Sequence, residues 1–409
     1  MFLTERKLER RVQELKKFRY RELRHIGTFL AKEDTEKKTN PEVPTDFEGW
    51  KTMKTGTLEK EGGDRWKGRD LYLWLHTEFT IPEEFSGKRI VGIFDFGKTG
   101  AGNNSGFEAM LYIDGKPYQG VDINHQEVFF PEEMVGKTVN ATFRLWSGLE
   151  GGGIPKPQEH QLRRADLAYL DEATDDLYYM GSLIHETVLN LEEGNPFRYD
   201  LLSAMNHAFN LIDWHCAGDE DFYQSVALAD KTLNDAVDRM NKTSEVHVSC
   251  VGHTHIDMAW LWRLKHTREK ASRSFSTVLR MMEQYPEYIF LQTQPQIYEY
   301  IKQDFPEIFE KIKERVAEGR WEADGAMWVE ADCNLTSGES LTRQILLGCK
   351  FIKDEFGKDC EYLWLPDVFG YSWALPQILK KSGIDMFMTT KISWNQYNRM
   401  PHDTFKWIG

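Results

Sequence analysis

The sequence predicts a multidomain α and β protein, with an N-terminal antiparallel β-sandwich of jelly-roll-like pattern, then helices, then the first part of a parallel α/β barrel-like domain. Three observations carry this. Residues 71–146 run in short alternating stretches such as LYLWLHTEFTI and FEAMLYIDG, parted by Gly, Asp and Pro turns at the spacing of an antiparallel sandwich. Residues 197–241 change to helical spacing, with Leu201, Met205, Phe209 and Ile212 on one face. After residue 245 short apolar runs alternate with helix-length segments, the texture of βαβ units around a largely parallel sheet. The expected divisions are a helical arm and connector over 1–45, the sandwich over 46–193, a helical linker over 194–244 and an α/β domain over 245–409, cut short on its C-terminal side.

A 409-residue chain that is 41% hydrophobic has enough apolar surface for several cores. A net charge of -14 excludes the usual nucleic-acid binder, because phosphate affinity comes from Lys and Arg displacing counterions. Residues 1–20 carry charge throughout, so no secretory leader is expected, and no run is long enough to span a membrane. A cytoplasmic location follows. The five cysteines, Cys216, Cys250, Cys333, Cys349 and Cys360, show no metal spacing and read as reduced, mostly buried thiols.

Taken in order, Leu8, Val12, Leu15 and Leu23 form a helical stripe among Arg and Lys over residues 2–30. Residues 31–64 are polar and punctuated by Pro and Gly, and read as an irregular connector; residues 161–193 read as a polar crossing. Within the sandwich, 92–99 (GIFDFGKT) matches the phosphate-loop pattern GxxxxGKT. Its middle is apolar and strand-like and no helix can follow, so it is not expected to cradle phosphate. Asp114-Gly115 is a hairpin turn signal. In the last region strands are expected at 246–251, 288–293, 321–331, 362–366 and 385–390, with helices near 267–284, 296–317, 337–356 and 373–382 between them.

The chemistry gathers where those strands end. In 246–262 (VHVSCVGHTHIDMAWLW), His253, His255 and Asp257 recur at a spacing of two, which places them on one face of an extended chain. A second run, 361–372 (EYLWLPDVFGYS), ends in Asp367. Loops after parallel strands open on one side, so both would face one cleft. Imidazole and carboxylate without thiolate suit a catalytic zinc or similar divalent ion; the plainer alternative has Asp257 as a helix cap and the histidines hydrogen-bonded. Trp260 and Phe369 offer rings for sugar stacking or simply fill the core. Glu330 and Asp332 end another strand and either hold hydroxyls or form a turn, and Lys391 either pairs with Asp367 or a substrate hydroxyl or lies free on the surface.

Three segments, HTHIDMAWLWR, MWVEADCNLTSGESLTRQ and WLPDVFGYSWALPQILKKSGIDMFMTTKISWN, resemble the signature segments of glycoside hydrolase family 38 α-mannosidases of the long bacterial, cytosolic and vacuolar branch. The resemblance implies one Zn2+ per catalytic domain, held by His255, Asp257 and Asp367, and a retaining mechanism in which Asp367 is also the nucleophile. Trp260 and Phe369 would line the mannose subsite with Lys391, Glu330 and Asp332 as substrate-binding candidates, and His253 would stand behind the metal. The zinc would grip the cis hydroxyls that mannose alone presents in that geometry, so specificity and distortion share one cause. The implied substrate is an oligosaccharide with terminal α-mannose.

The resemblance also implies that a fourth ligand and the general acid/base lie beyond residue 409. The 409-residue chain by itself is therefore expected to be inactive, and its open strand edge near Thr390 to associate into a homo-oligomer. Two other functions fit the bare pattern. One is a metal-dependent deacetylase or amidohydrolase, separated by release of acetate instead of mannose; the other is a non-catalytic carbohydrate-binding protein, whose sugar binding would survive loss of metal.

Overall fold

The computed structural model of the chain describes residues 3–57, 62–99, 106–240 and 246–409. The expected arm is helical only over Thr4–Leu15 (α1), where Leu8, Val12 and Leu15 are buried. Leu23 leaves that stripe, because Tyr20–His25 (β1) and Thr28–Glu33 (β2) are strands. The supposed connector and crossing also contribute Lys51–Lys54 (β3) and, further on, a strand at Arg164–Leu170, and Arg65–Gly68 (β4) follows directly after the connector. β1, β3 and β4 are largely polar and show no clean alternation, while Arg164–Leu170 is mostly buried. What makes them strands is hydrogen bonding to partners far away in sequence, such as Tyr20 opposite Leu170.

The remaining strands of this half are Tyr72–Thr80 (β5), Arg89–Asp95 (β6), Glu108–Ile113 (β7), Lys116–Asp122 (β8), Glu127–Phe130 (β9), Thr138–Trp146 (β10) and Gln158–Gln161 (β11), followed by Arg164–Leu170 (β12). They build antiparallel sheets in the orders β3-β2-β5-β10-β7-β8 and β1-β12-β6-β9, with β11 and β4 as a separate pair. Phe29, Leu75, Phe94, Phe96 and Phe143 meet in one core that draws on both larger sheets. Asp114 and Gly115 both take positive φ, the backbone a tight hairpin requires. Residues 92–95 of the GIFDFGKT run lie in β6, and a side chain at Gly92 would strike the rings of Phe94 and Phe130. No phosphate-wrapping loop forms there.

Three helices follow, Glu172–Asn190 (α2), Pro196–Phe209 (α3) and Glu220–Arg239 (α4). With α1 they share a core of Leu8, Val12, Leu177, Met205, Phe222 and Val226. Asp230 on α4 is partly withdrawn from water, and burial together with the charge of Asp176 on α2 pushes its carboxyl up to about 6. A carboxyl raised by folding binds its proton more tightly folded than unfolded. Its stabilisation is complete below the ordinary value of about 3.9 and is lost as pH rises through about 6. Asp230→Asn is therefore expected to raise the melting temperature at about pH 7.5 and leave it unchanged at about pH 3.5, as thermal unfolding at the two pH values would show.

The last region alternates strands and helices. Gly252–His253 (β13) leads to Leu264–Gln284 (α5), and Phe290–Gln292 (β14) to Pro295–Asp304 (α6) and Pro306–Ala317 (α7). Then come Trp321–Ala323 (β15), Gly338–Phe356 (α8), Tyr362–Leu365 (β16), Leu375–Lys381 (α9) and Met386–Thr389 (β17). All the strand pairs here are parallel, β13-β14-β15 and β16-β17, and a parallel bridge from Gly325 to Leu363 links the two groups. Pro306 splits the helix expected over 296–317, because proline brings no N–H and clashes with the preceding turn. The first strand is far shorter than 246–251 implied; Val248 and Val251 are exposed on irregular backbone, and β-branched residues favour strands only when a packed surface receives them. All five cysteines are free, but Cys216 and Cys250 are exposed, against the expectation of burial.

Candidate metal centre

Each candidate ligand stands just past the carboxyl end of a parallel strand, His255 and Asp257 after β13 and Asp367 after β16, and the substrate-binding candidate Glu330 lies further along the segment that follows β15. His253 is still in β13. Its Nδ1 lies 3.0 Å from the Leu291 carbonyl and its Nε2 accepts from Trp364 Nε1 at 3.2 Å. Those partners place the ring proton on Nδ1 and occupy both nitrogens, so His253 joins three strands and has no lone pair left for an ion.

His255, Asp257 and Asp367 each bring one donor atom within 4.8 Å of the others, forming the metal-competent group among the described residues. Nε2 of His255 is 3.3 Å from Oδ1 of Asp257 and 3.6 Å from Oδ2 of Asp367. Behind the ring, Nδ1 is 2.7 Å from Oε2 of Glu330, whose side chain is only 5% exposed. The contact is an ion pair at poor hydrogen-bonding angles, since neither atom has a hydrogen-bond partner. Burial disfavours the charged ring, yet the carboxylates of Asp257 and Glu330 outweigh it and push His255 up to about 10. A metal would replace the Nε2 proton while Glu330 kept the Nδ1 side, the carboxylate–imidazole arrangement that orients ligating histidines. Two carboxylates and an imidazole, all partly open to solvent, thus fit a divalent ion with room for substrate.

Lys391 Nζ lies 2.6 Å from Oδ1 of Asp367 and 3.4 Å from the centre of the Trp394 ring, so the pairing expected of it is present. Asp332 is placed differently from Glu330. It is exposed, and its Oδ1 accepts the backbone N–H groups of Asn334 and Leu335 at 2.9 and 2.7 Å, the turn expected as its plainer use. Trp260 and Phe369 present 58% and 78% of their surface, so neither is a core residue here. Trp260 meets Trp262 edge to face at 5.5 Å on a bent loop, not on a helical turn. The helix starts at Leu264 and is capped at Arg263, which removes the reading of Asp257 as its cap.

Sequence reasoning missed that residues of the antiparallel sheets reach this region. Glu108 and Asp122 line a cleft of about 550 Å³ together with His253, His255, Lys270 and Arg273. Glu108 pairs with Lys270 at 2.5 Å and with Arg273. Nothing local in FEAMLYIDG signals this, because the partners are supplied by α5.

Parallel strands that deliver carboxylate and imidazole donors from their carboxyl ends define an α/β protein with a side-chain group that could hold a metal ion. Residues 245–409 match the family described as the glycosyl hydrolases family 38 N-terminal domain. The chain is 32% identical to alpha-mannosidase G of Dictyostelium discoideum over 350 residues, covering 82% of this chain and 31% of that protein. It is 34% identical to alpha-mannosidase 2C1 of Homo sapiens over 349 residues (82% and 32%), and 28% identical to the alpha-mannosidase of Saccharomyces cerevisiae over 419 residues (94% and 37%). The chain belongs to glycoside hydrolase family 38. It spans about a third of the length of these curated relatives.

Proposed function

We propose that this chain carries the metal-binding and nucleophile-bearing part of a retaining, zinc-dependent α-mannosidase acting on terminal α-mannosides of oligosaccharides. The observation that supports it most is the double placement of Asp367. Its Oδ2 belongs to the donor group with His255 and Asp257, while the residue keeps 37% of its side chain exposed to an arriving sugar. When bound, the zinc supplies a grip on adjacent sugar hydroxyls. Asp367 supplies the anion that bonds to the anomeric carbon as the glycosidic bond breaks and its oxygen takes a proton; water then releases mannose with its α configuration kept. Lys391 orients Asp367 through their 2.6 Å ion pair. Glu330 fixes the ring of His255, and Trp260 and Phe369 present faces for the mannose ring.

On the same reading the strands from β1 to β12, which reach outside the expected bounds of 46–193, form a jelly-roll-like sandwich, α2 to α4 a helical linker that begins earlier than 194, and residues 245–409 the first part of a barrel-like catalytic domain. Among the described residues no helix is long and apolar enough to cross a membrane, which is compatible with a cytoplasmic location. Self-association through the outer edge of β17 belongs to the same proposal. The test is hydrolysis of an aryl α-mannoside by the whole protein with and without chelator. Mannose release that stops on chelation and returns with zinc is expected; acetate release from an acetylated sugar, or sugar binding indifferent to chelator, would overturn the reading.

A further inference from the structure

The loop that presents Asp257 is closed onto the first turn of α5 by two fully buried side chains, His266 and Thr267. Thr267 Oγ1 accepts from Trp262 Nε1 at 3.0 Å and reaches the carbonyls of Met258 and Asp257 at 2.7 and 3.0 Å. His266 Nδ1 accepts the backbone N–H of Arg263 at 3.0 Å. Its Nε2 therefore carries the ring proton, and it points at Oδ1 of Asp70, 3.0 Å away in the turn between β4 and β5. Trp146 of β10 donates to the same oxygen at 2.9 Å and stacks on the His266 ring at 4.4 Å and 24°. Arg263 also pairs directly with Oδ2 of Asp70.

Asp70 holds this position at a backbone cost. Its φ is 55°, in the left-handed region where glycine fits best and Asp or Asn is tolerated. Strained backbone of this kind persists where the surroundings require a particular side chain. Burial works against the charge of Asp70, but hydrogen bonds from His266, Trp146 and Arg263 overcome it and hold the carboxyl well below the usual range.

We propose that Asp70 is a positioning residue for the metal centre: through His266 and Arg263 it fixes loop 257–263 and hence the carboxylate of Asp257. The antiparallel half of the protein then sets the geometry of the site. This rests on the reading that His255, Asp257 and Asp367 hold zinc.

The test compares the wild-type chain with Asp70→Asn and Asp70→Gly. Zinc affinity is measured by competition with a chromogenic chelator, Co2+ absorption reports ligand geometry, and all readings are taken well below the unfolding temperature. Loss of outer partners of this kind typically weakens metal binding about 10-fold to 100-fold. Asp70→Asn keeps the acceptor for His266 and is expected near the lower end. Asp70→Gly relieves the backbone but removes the carboxylate, and is expected near the upper end with an altered Co2+ band. Thr267→Val should weaken zinc similarly and Thr267→Ser should restore it. If Asp70→Gly does not fold, Asp70→Asn, near in shape and tolerant of positive φ, carries the comparison. A merely structural role would lower the melting temperature while leaving zinc affinity and the Co2+ band of the folded protein at wild-type values, and that result would overturn the proposal alone. A wild-type chain that binds no zinc, or binds it equally after His255→Ala, would overturn both this and the metal-centre reading.

Discussion

Asp367→Asn is expected to lower turnover of an aryl α-mannoside at least about a thousandfold in the whole protein while leaving the fold intact. The amide has the shape of the carboxylate and can still accept from Lys391, but it lacks the anion that attacks the anomeric carbon. Structurally the exchange is mild. Asp367 is partly exposed and its ion pair with Lys391, at 2.6 Å, is of the kind worth about 0.2–1 kcal/mol. Circular dichroism and melting temperature should hardly move, so the loss would lie in the chemical step. With the unmodified enzyme, an NMR time course should show α-mannose first. Early β-mannose would rule out the retaining mechanism, and near-normal turnover in the variant would remove Asp367 as nucleophile.

The second large effect concerns metal. In the whole protein His255→Ala and Asp257→Ala are each expected to lower zinc from about one per molecule, since either removes one of three convergent donors. The two should differ in stability. Removing His255 strands the Glu330 carboxylate, 5% exposed, without its imidazole partner, and leaving a buried polar group unpaired costs about 1–3 kcal/mol or more when charged. Asp257 is about a third exposed, so its loss leaves no such orphan. Elemental analysis together with thermal unfolding of the metal-free proteins separates the effects. Equal zinc in wild type and both variants would refute the ligand assignment, and equal stability of the two metal-free variants would refute the role given to Glu330.

Much of this was legible before any coordinates. Short alternating runs parted by turn residues marked β5, β7 and β10, helical spacing marked α3, α4 and α8, and the repeat of strand and helix after residue 245 marked a parallel sheet. The spacing of His253, His255 and Asp257 and the strand-ending Asp367 gathered the candidates, and the family resemblance narrowed them to the three that converge. Such signals survive in one dimension because burial on one face writes itself into neighbouring residues at a fixed period.

Other features had no local trace. β1 is polar and largely exposed and becomes a strand by pairing with β12, itself mostly buried and paired on its other side with β6. Glu330 and Asp332 look alike in sequence, yet one lies buried behind His255 and the other caps an exposed turn. Asp70 is one polar residue in a turn until the fold carries it to His266 and Arg263. The sequence by itself picked out the residues that could hold a metal ion and the strand ends that present them. Only the tertiary structure decided which groups stand behind them, because a hydrogen bond or ion pair between distant segments depends on two side chains meeting in space, and periodicity records only which side of its own element each one faces.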